Sequence, residues 1–211
     1  MKSDLYECIY IHIPKTAGTS IGTLLGAYEK GRRRGDQDHR TIQNIQDAFT
    51  PSGIDIFSPR RWGKYANQNF RARRMGFENI SKNEFDSYFK FAIVRNPWDR
   101  VYSWYRNVIR DPMHLKAHCI GSDISFDFFI ENCMDSWALR SQLSWIKDGE
   151  GDVIVDFVGR FENLEEDIDK VKKKIGADHV TLPHELFAAF SESYLDAYND
   201  RTYELVGSRY A

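Results

Sequence analysis

The sequence predicts an α/β protein: a parallel β-sheet flanked by helices on both faces, folded as a single domain over residues 1–211. Three observations predict it. Short apolar runs rich in β-branched and aromatic residues stand at 6–13, 88–94 and 152–161, as buried strands do. After each run, apolar residues recur at the spacing of one helix face. Glycines and prolines punctuate the joins, so the runs and stripes alternate as strand, turn and helix.

The elements follow in order. Residues 6–13 end in Ile11-His12-Ile13, then Pro14 to Ser20 read Pro-Lys-Thr-Ala-Gly-Thr-Ser. Ile21, Leu24, Leu25 and Tyr28 form the helix stripe behind that loop. Residues 30–40 are charged and glycine-broken, hence a loop, and Ile42, Ile45 and Phe49 suggest a short helix. Residues 50–85 carry prolines at 51 and 59 and a basic cluster at 71–74, and no regular element is read there. Tyr88 to Val94 is the second strand. Asn96 caps and Pro97 opens a helix whose stripe is Val101, Trp104, Tyr105 and Val108. Phe126, Phe129, Ile130 and Cys133 mark a further helix. The run at 152–161 is the third strand, followed by the stripe Leu164, Ile168, Val171 and Ile175. A last helical segment falls within 191–209.

Composition narrows the class. The chain is 42% hydrophobic and has a net charge of −2, so it can bury a core and carries no global field for nucleic acid. Three widely spaced cysteines argue against a disulfide framework. No apolar stretch reaches the length of a membrane span, and the first residues lack the pattern of a signal peptide. The expectation is a soluble, cytoplasmic protein.

Two stretches carry chemistry, both at strand ends, where ligands of such sheets bind. In the first, Ala17 and Gly18 let backbone N–H groups approach an oxyanion. Thr16, Thr19 and Ser20 add hydroxyls, and Lys15 adds a movable charge. In the second, Arg-Asn-Pro-Trp-Asp-Arg-Val-Tyr-Ser, Arg95 offers a bidentate fork and Ser103 a hydroxyl off the apolar stripe. Two anion cradles on neighbouring strand ends suit a ligand with two separated phosphate groups.

These stretches resemble the 5′-phosphosulfate loop and 3′-phosphate motif of sulfotransferases, and the wording Arg-Asn-Pro-Trp-Asp-Arg is closest to the carbohydrate-sulfotransferase branch and its bacterial relatives. Gly159 to Asp167 and Leu182-Pro183-His184 are similar to later segments of that family. The resemblance implies the P-loop-like sulfotransferase fold and the donor 3′-phosphoadenosine 5′-phosphosulfate (PAPS). It implies the 5′ side on Lys15, Thr16, Ala17, Gly18, Thr19 and Ser20, the 3′-phosphate on Arg95 and Ser103, and Phe161 beside the adenine. It implies in-line transfer to a hydroxyl-bearing acceptor such as a carbohydrate or small alcohol, with Lys15 stabilising the leaving phosphate. No metal is required, since the transferred group carries less charge than a phosphoryl. His39, in a polar loop before a helix, is the expected general base, with Asp36 and Asp38 as candidates to orient it. The chain departs from the branch at Leu186, where asparagine is usual, and ends at Gly-Ser-Arg-Tyr-Ala, where relatives run on in a short tail.

Three other readings compete. A P-loop nucleotide kinase would need Gly-x-x-x-x-Gly-Lys-Ser/Thr, and here the lysine precedes the glycine. A metal hydrolase could use His114 and His118, four apart, but lacks the glutamate beside the first histidine. A non-catalytic module could bind a polyanion through the basic clusters 32–34 and 71–74. The residues name neither the acceptor nor the oligomeric state.

Overall fold

A computed structural model describes residues 1–26, 37–181 and 193–210. Tyr28, the basic cluster 32–34, Asp36 and the Leu182-Pro183-His184 segment with Leu186 lie outside the described residues. The described sheet has four strands in the order β1-β2-β3-β4, namely Lys2–Ser3, Cys8–Ile11, Phe89–Val94 and Phe157–Arg160. β2, β3 and β4 run parallel, with Ile11 opposite Ala92 and Val94 opposite Arg160.

The expectation of a purely parallel sheet needs correction. β1 is antiparallel to β2, pairing Lys2 with Ile9 and Ser3 with Cys8. The chain doubles back through a turn in which Glu7 has a φ of 46°. The Met1 amine donates to the Tyr10 carbonyl at 2.7 Å, and the Tyr10 N–H donates to the Met1 carbonyl at 2.8 Å. A two-residue polar strand has no periodicity to read. The third strand is also shorter than expected. Only Phe157–Arg160 joins the sheet, while Val153 makes an isolated antiparallel bridge to Lys147.

Alternation along the strands sends side chains to two faces. Cys8, Tyr10, Phe91 and Ile93 pack on one side against Ile21 and Leu24 of α1 (Gly18–Leu24), and against Leu164, Ile168 and Val171. Ile9, Ile11 and Ala92 pack on the other against Ile42 and Ile45 of α2 (Ile42–Asp47). α3 (Pro59–Met75) lies on α2 and buries only Ala72. It starts where Ser58 accepts from the Arg61 N–H beside Pro59 at the first position, and stops at Gly76 with a φ of 65°. Without an apolar stripe this helix was not legible among residues 50–85.

α4 (Lys82–Ser87) supplies Phe85 to the second face. α5 (Pro97–Val108) begins at Asn96, whose side chain accepts from the N–H groups of Trp98 and Asp99. Its Val101, Trp104 and Val108 pack with Phe126, Phe129 and Ile130, and with Val206, in a third cluster. α6 (Pro112–His118) sets His114 edge-on to Trp104 and His118 against Phe129. Then come α7 (Phe126–Asn132), α8 (Leu143–Ile146), α9 (Leu164–Ile175) and α10 (Asp200–Tyr210). α9 follows β4 through one short turn, so its stripe falls back on the sheet as expected. Among the described residues no helix is long and apolar enough to cross a membrane.

Candidate active site

β2 delivers the chain into His12, Ile13 and Pro14, and the loop turns at two non-glycine residues in the left-handed region, Lys15 with a φ of 68° and Ala17 with 66°. Each such residue costs on the order of 1 kcal/mol, and such strain concentrates at functional sites. Thr16 is fully buried and its hydroxyl donates to the Ile13 carbonyl at 2.9 Å. Its side chain therefore locks the turn. Gln37 donates from Nε2 to Thr19 Oγ1 at 2.9 Å, and Ser20 is buried at the start of α1.

Two arginines of the second motif hold this loop by its backbone. Arg95 donates from one terminal nitrogen to the Lys15 carbonyl at 3.0 Å. Its Nε and other terminal nitrogen reach both carboxylate oxygens of Asp99, at 2.7 and 2.8 Å. Phe161 lies beneath the same guanidinium, 4.0 Å from ring centre to Cζ. Arg95 exchanges two backbone hydrogen bonds with the Gln142 side chain, at 2.9 and 2.7 Å. Arg100 is fully buried, and donates to the carbonyls of Pro14 at 3.2 Å, of Arg140 at 3.1 Å and of Ala138.

Lys15 Nζ donates to Asn107 Oδ1 at 3.4 Å. Asp99, Ser103 and Asn107 follow one another at four-residue spacing on α5, hence along one face. Ser103 thus sits, half-buried, one turn from the partner of Arg95 and one turn from the partner of Lys15. Burial, then the charges of Arg95 and Arg110, pull the Lys15 pKa down to about 8. Burial and two neighbouring guanidiniums thus disfavour the charged lysine, and an anion beside it would restore that charge.

His39 stands on the other side of the loop. Its Nδ1 lies 3.0 Å from the His12 carbonyl oxygen. A carbonyl only accepts, so this partner puts the proton on Nδ1 and leaves Nε2 with its lone pair. Burial lowers the His39 pKa, opposed by that hydrogen bond and by the charge of Asp38. Asp38 does not orient the ring by contact. It grips Arg40 at 2.7 Å and faces the Met1 amine at 3.6 Å.

The sequence reading missed His12. Its ring is 2% exposed, 4.1 Å from the His39 ring centre, and its Nδ1 has no partner. Burial first, then His39, holds its pKa well below the ordinary value. The ring fills the space above Gly18, where an added Cβ would lie 1.6 Å from His12 Nε2. Trp137 and Trp145 wall His39 at 5.4 and 6.3 Å between ring centres. His12 sits in an apolar strand run and resembles a core residue there. Asn107 and Gln142 carry no local pattern at all. Arg100 alone had a signal, as the last charge of Arg-Asn-Pro-Trp-Asp-Arg.

A family model described as the sulfotransferase family matches residues 1–204. An uncharacterized protein of Archaeoglobus fulgidus is 36% identical over 119 residues, which cover 56% of this chain and 89% of that protein. No solved structure matches.

Proposed function

Because the chain belongs to the sulfotransferase family, we propose that it transfers a sulfuryl group from PAPS to an acceptor hydroxyl, with His39 as general base. The observation that carries the reading is the His39 tautomer: Nδ1–H is held by the His12 carbonyl at 3.0 Å, so Nε2 is the nitrogen available to take a proton. The donor supplies the sulfuryl group, and its nucleotide phosphate is the leaving group.

The residues fit that donor. Lys15 and Arg95, with Arg110 acting on Lys15 from nearby, form a cationic site that a phosphosulfate would neutralise. Lys15 stabilises charge that grows on the leaving oxygen. Arg95 retains donors beyond those given to Asp99 and Lys15, and with Ser103 it holds the 3′-phosphate. Phe161, already stacked on Arg95, borders the adenine side. Backbone N–H groups of Ala17 and Gly18 and the hydroxyls of Thr19 and Ser20 bind the 5′ side. Thr16 contributes its backbone, since its hydroxyl is committed to Ile13. The acceptor oxygen forms a bond to sulfur as the bond from sulfur to the bridging oxygen breaks, and the acceptor proton passes to His39 Nε2. Trp137, about half exposed beside His39, offers an aromatic face on which a carbohydrate ring would stack.

Transfer of radiolabelled sulfate from PAPS to a panel of sugars and small alcohols, without added metal, tests this. His39→Ala is expected to lose turnover while still binding 3′-phosphoadenosine 5′-phosphate in calorimetry. Arg95→Ala is expected to lose that binding. Full turnover in His39→Ala removes the base assignment, and tight binding of magnesium–ATP with none of the bisphosphate overturns the donor.

A further inference from the structure

The segment 53–75 is unlike the rest of the surface. It carries six Lys/Arg (Arg60, Arg61, Lys64, Arg71, Arg73 and Arg74) against one acid, Asp55, in a chain of net charge −2. It also exposes large apolar side chains: Ile54 at 87%, Phe57 at 85% and Phe70 at 67%, with Ile56 and Met75 about half exposed. Arg61 and Lys64 are spent on Asp47 of α2, which leaves Arg60, Arg71, Arg73 and Arg74 exposed with the apolar side chains. α3 docks on α2 through Arg61, Lys64 and Asn69, which reach the Gln46 and Asp47 carbonyls, the Asp47 carboxylate and the Ala48 carbonyl, and Ala72 on the same side is buried. The opposite face holds Gly63, Ala66, Asn67, Phe70 and Arg74, flanked by Arg60, Arg71 and Arg73. The short turn Gly53–Phe57 precedes α3 and is tied to its first turn by the Trp62 indole, which donates to the Ile56 carbonyl at 2.9 Å, and by Asp55, 3.8 Å from Arg61 Nε.

We propose that this face is a docking surface for an anionic lipid bilayer. The small residues at 63 and 66 let the helix lie flat, the arginines meet lipid phosphates, and Ile54, Phe57 and Phe70 enter the interface. Charge and side-chain type select this occupant over two others. An acidic polysaccharide uses the arginines but gains little from isoleucine, because sugar rings stack on aromatic faces. A second copy of the chain would meet this face with its own, setting arginine against arginine. The surface shares no residue with the Lys15–His39 site, and the proposal does not depend on the sulfuryl-transfer reading.

Co-sedimentation of the full chain with vesicles tests the proposal. Binding to phosphatidylcholine vesicles containing phosphatidylserine, and not to phosphatidylcholine alone, is expected, with loss at high salt. Each cation near such a surface contributes about fivefold in partitioning, so Arg71→Ser/Arg73→Ser/Arg74→Ser is expected to lose about a hundredfold. Ile54→Ser/Phe57→Ser is expected to weaken binding while both variants keep the wild-type thermal midpoint, since every substituted side chain is exposed. No binding to the anionic vesicles overturns the proposal. So does heparin binding that Ile54→Ser/Phe57→Ser leaves intact in the absence of vesicle binding, and so does a dimer in solution that Phe57→Ser dissolves.

Discussion

Gly18→Ala is expected to damage the Pro14 to Ser20 loop and the proposed base, His39, together. The added methyl would stand 1.6 Å from His12 Nε2, 2.0 Å from Cδ2 and 2.3 Å from Cε1. Ordinary carbon contact needs about 3.5 Å, so the ring or the loop must shift by roughly 2 Å. The ring has nowhere to go: it is 2% exposed, between Tyr10 at 5.6 Å and His39 at 4.1 Å. Overpacking of a closed core costs about 1–3 kcal/mol, and a walled ring places this change near about 3. The same shift moves the His12 carbonyl that orients His39. Misplacement of about 1 Å costs on the order of a hundredfold in rate, which is the expected fall in kcat/KM. Urea denaturation and sulfate transfer read the two effects. Removing the obstacle in Gly18→Ala/His12→Ala is expected to return about 2 kcal/mol relative to the sum of the single changes. A single variant with wild-type midpoint and turnover, or a strictly additive double variant, would refute the packing argument.

Three further outcomes are expected. The profile of kcat/KM against pH is bell-shaped: the acid limb lies below about 6.5, because burial lowers the His39 pKa and the active base is neutral above it. The alkaline limb lies near about 8, where free Lys15 loses its charge, and saturating donor moves it upward; a profile without an alkaline limb contradicts the role of Lys15. Arg100→Met leaves three carbonyls without their donor and is expected to cost about 3–5 kcal/mol in chemical denaturation; a loss below about 1 kcal/mol would show the carbonyls to be solvated. Asn107→Ala removes the tether of Lys15 and is expected to lower kcat about twofold to fivefold at unchanged thermal midpoint, measured in steady-state assays.

The parallel strands and the helices after them were legible because each buries a face, and burial writes a period into the sequence. β1 and α3 wrote none. β1 is held by its backbone pairing with β2, and α3 is docked by Arg61 and Asn69 side chains that donate to backbone carbonyls. Such contacts are set by tertiary position and leave no pattern. The same division runs through the site. Lys15 and Arg95 stood out as polar groups at strand ends, and Ser103 as a hydroxyl off the apolar stripe of the helix that follows. His12 did not, because its ring serves as a wall, buried and neutral, while its contact with His39 Nδ1 is made by a backbone carbonyl that any residue would carry.

The second motif also changes meaning once its partners are known. Read as sequence, Pro14 to Ser20 and Arg95 to Ser103 are two separate anion cradles. In the fold, Arg100 donates to the Pro14 carbonyl and Arg95 to the Lys15 carbonyl, 3.2 and 3.0 Å away. The second strand end therefore fixes the backbone of the first. That matters because Lys15 and Ala17 hold left-handed conformations that a free loop would abandon. The loop keeps its shape because a buried arginine and an arginine clamped by Asp99 hold the carbonyls on its entering side. An anion at the second end that draws on Arg95 is then coupled through the Lys15 carbonyl to the loop that carries Lys15 itself. Loss of Arg95 should loosen the first cradle as well as empty the second.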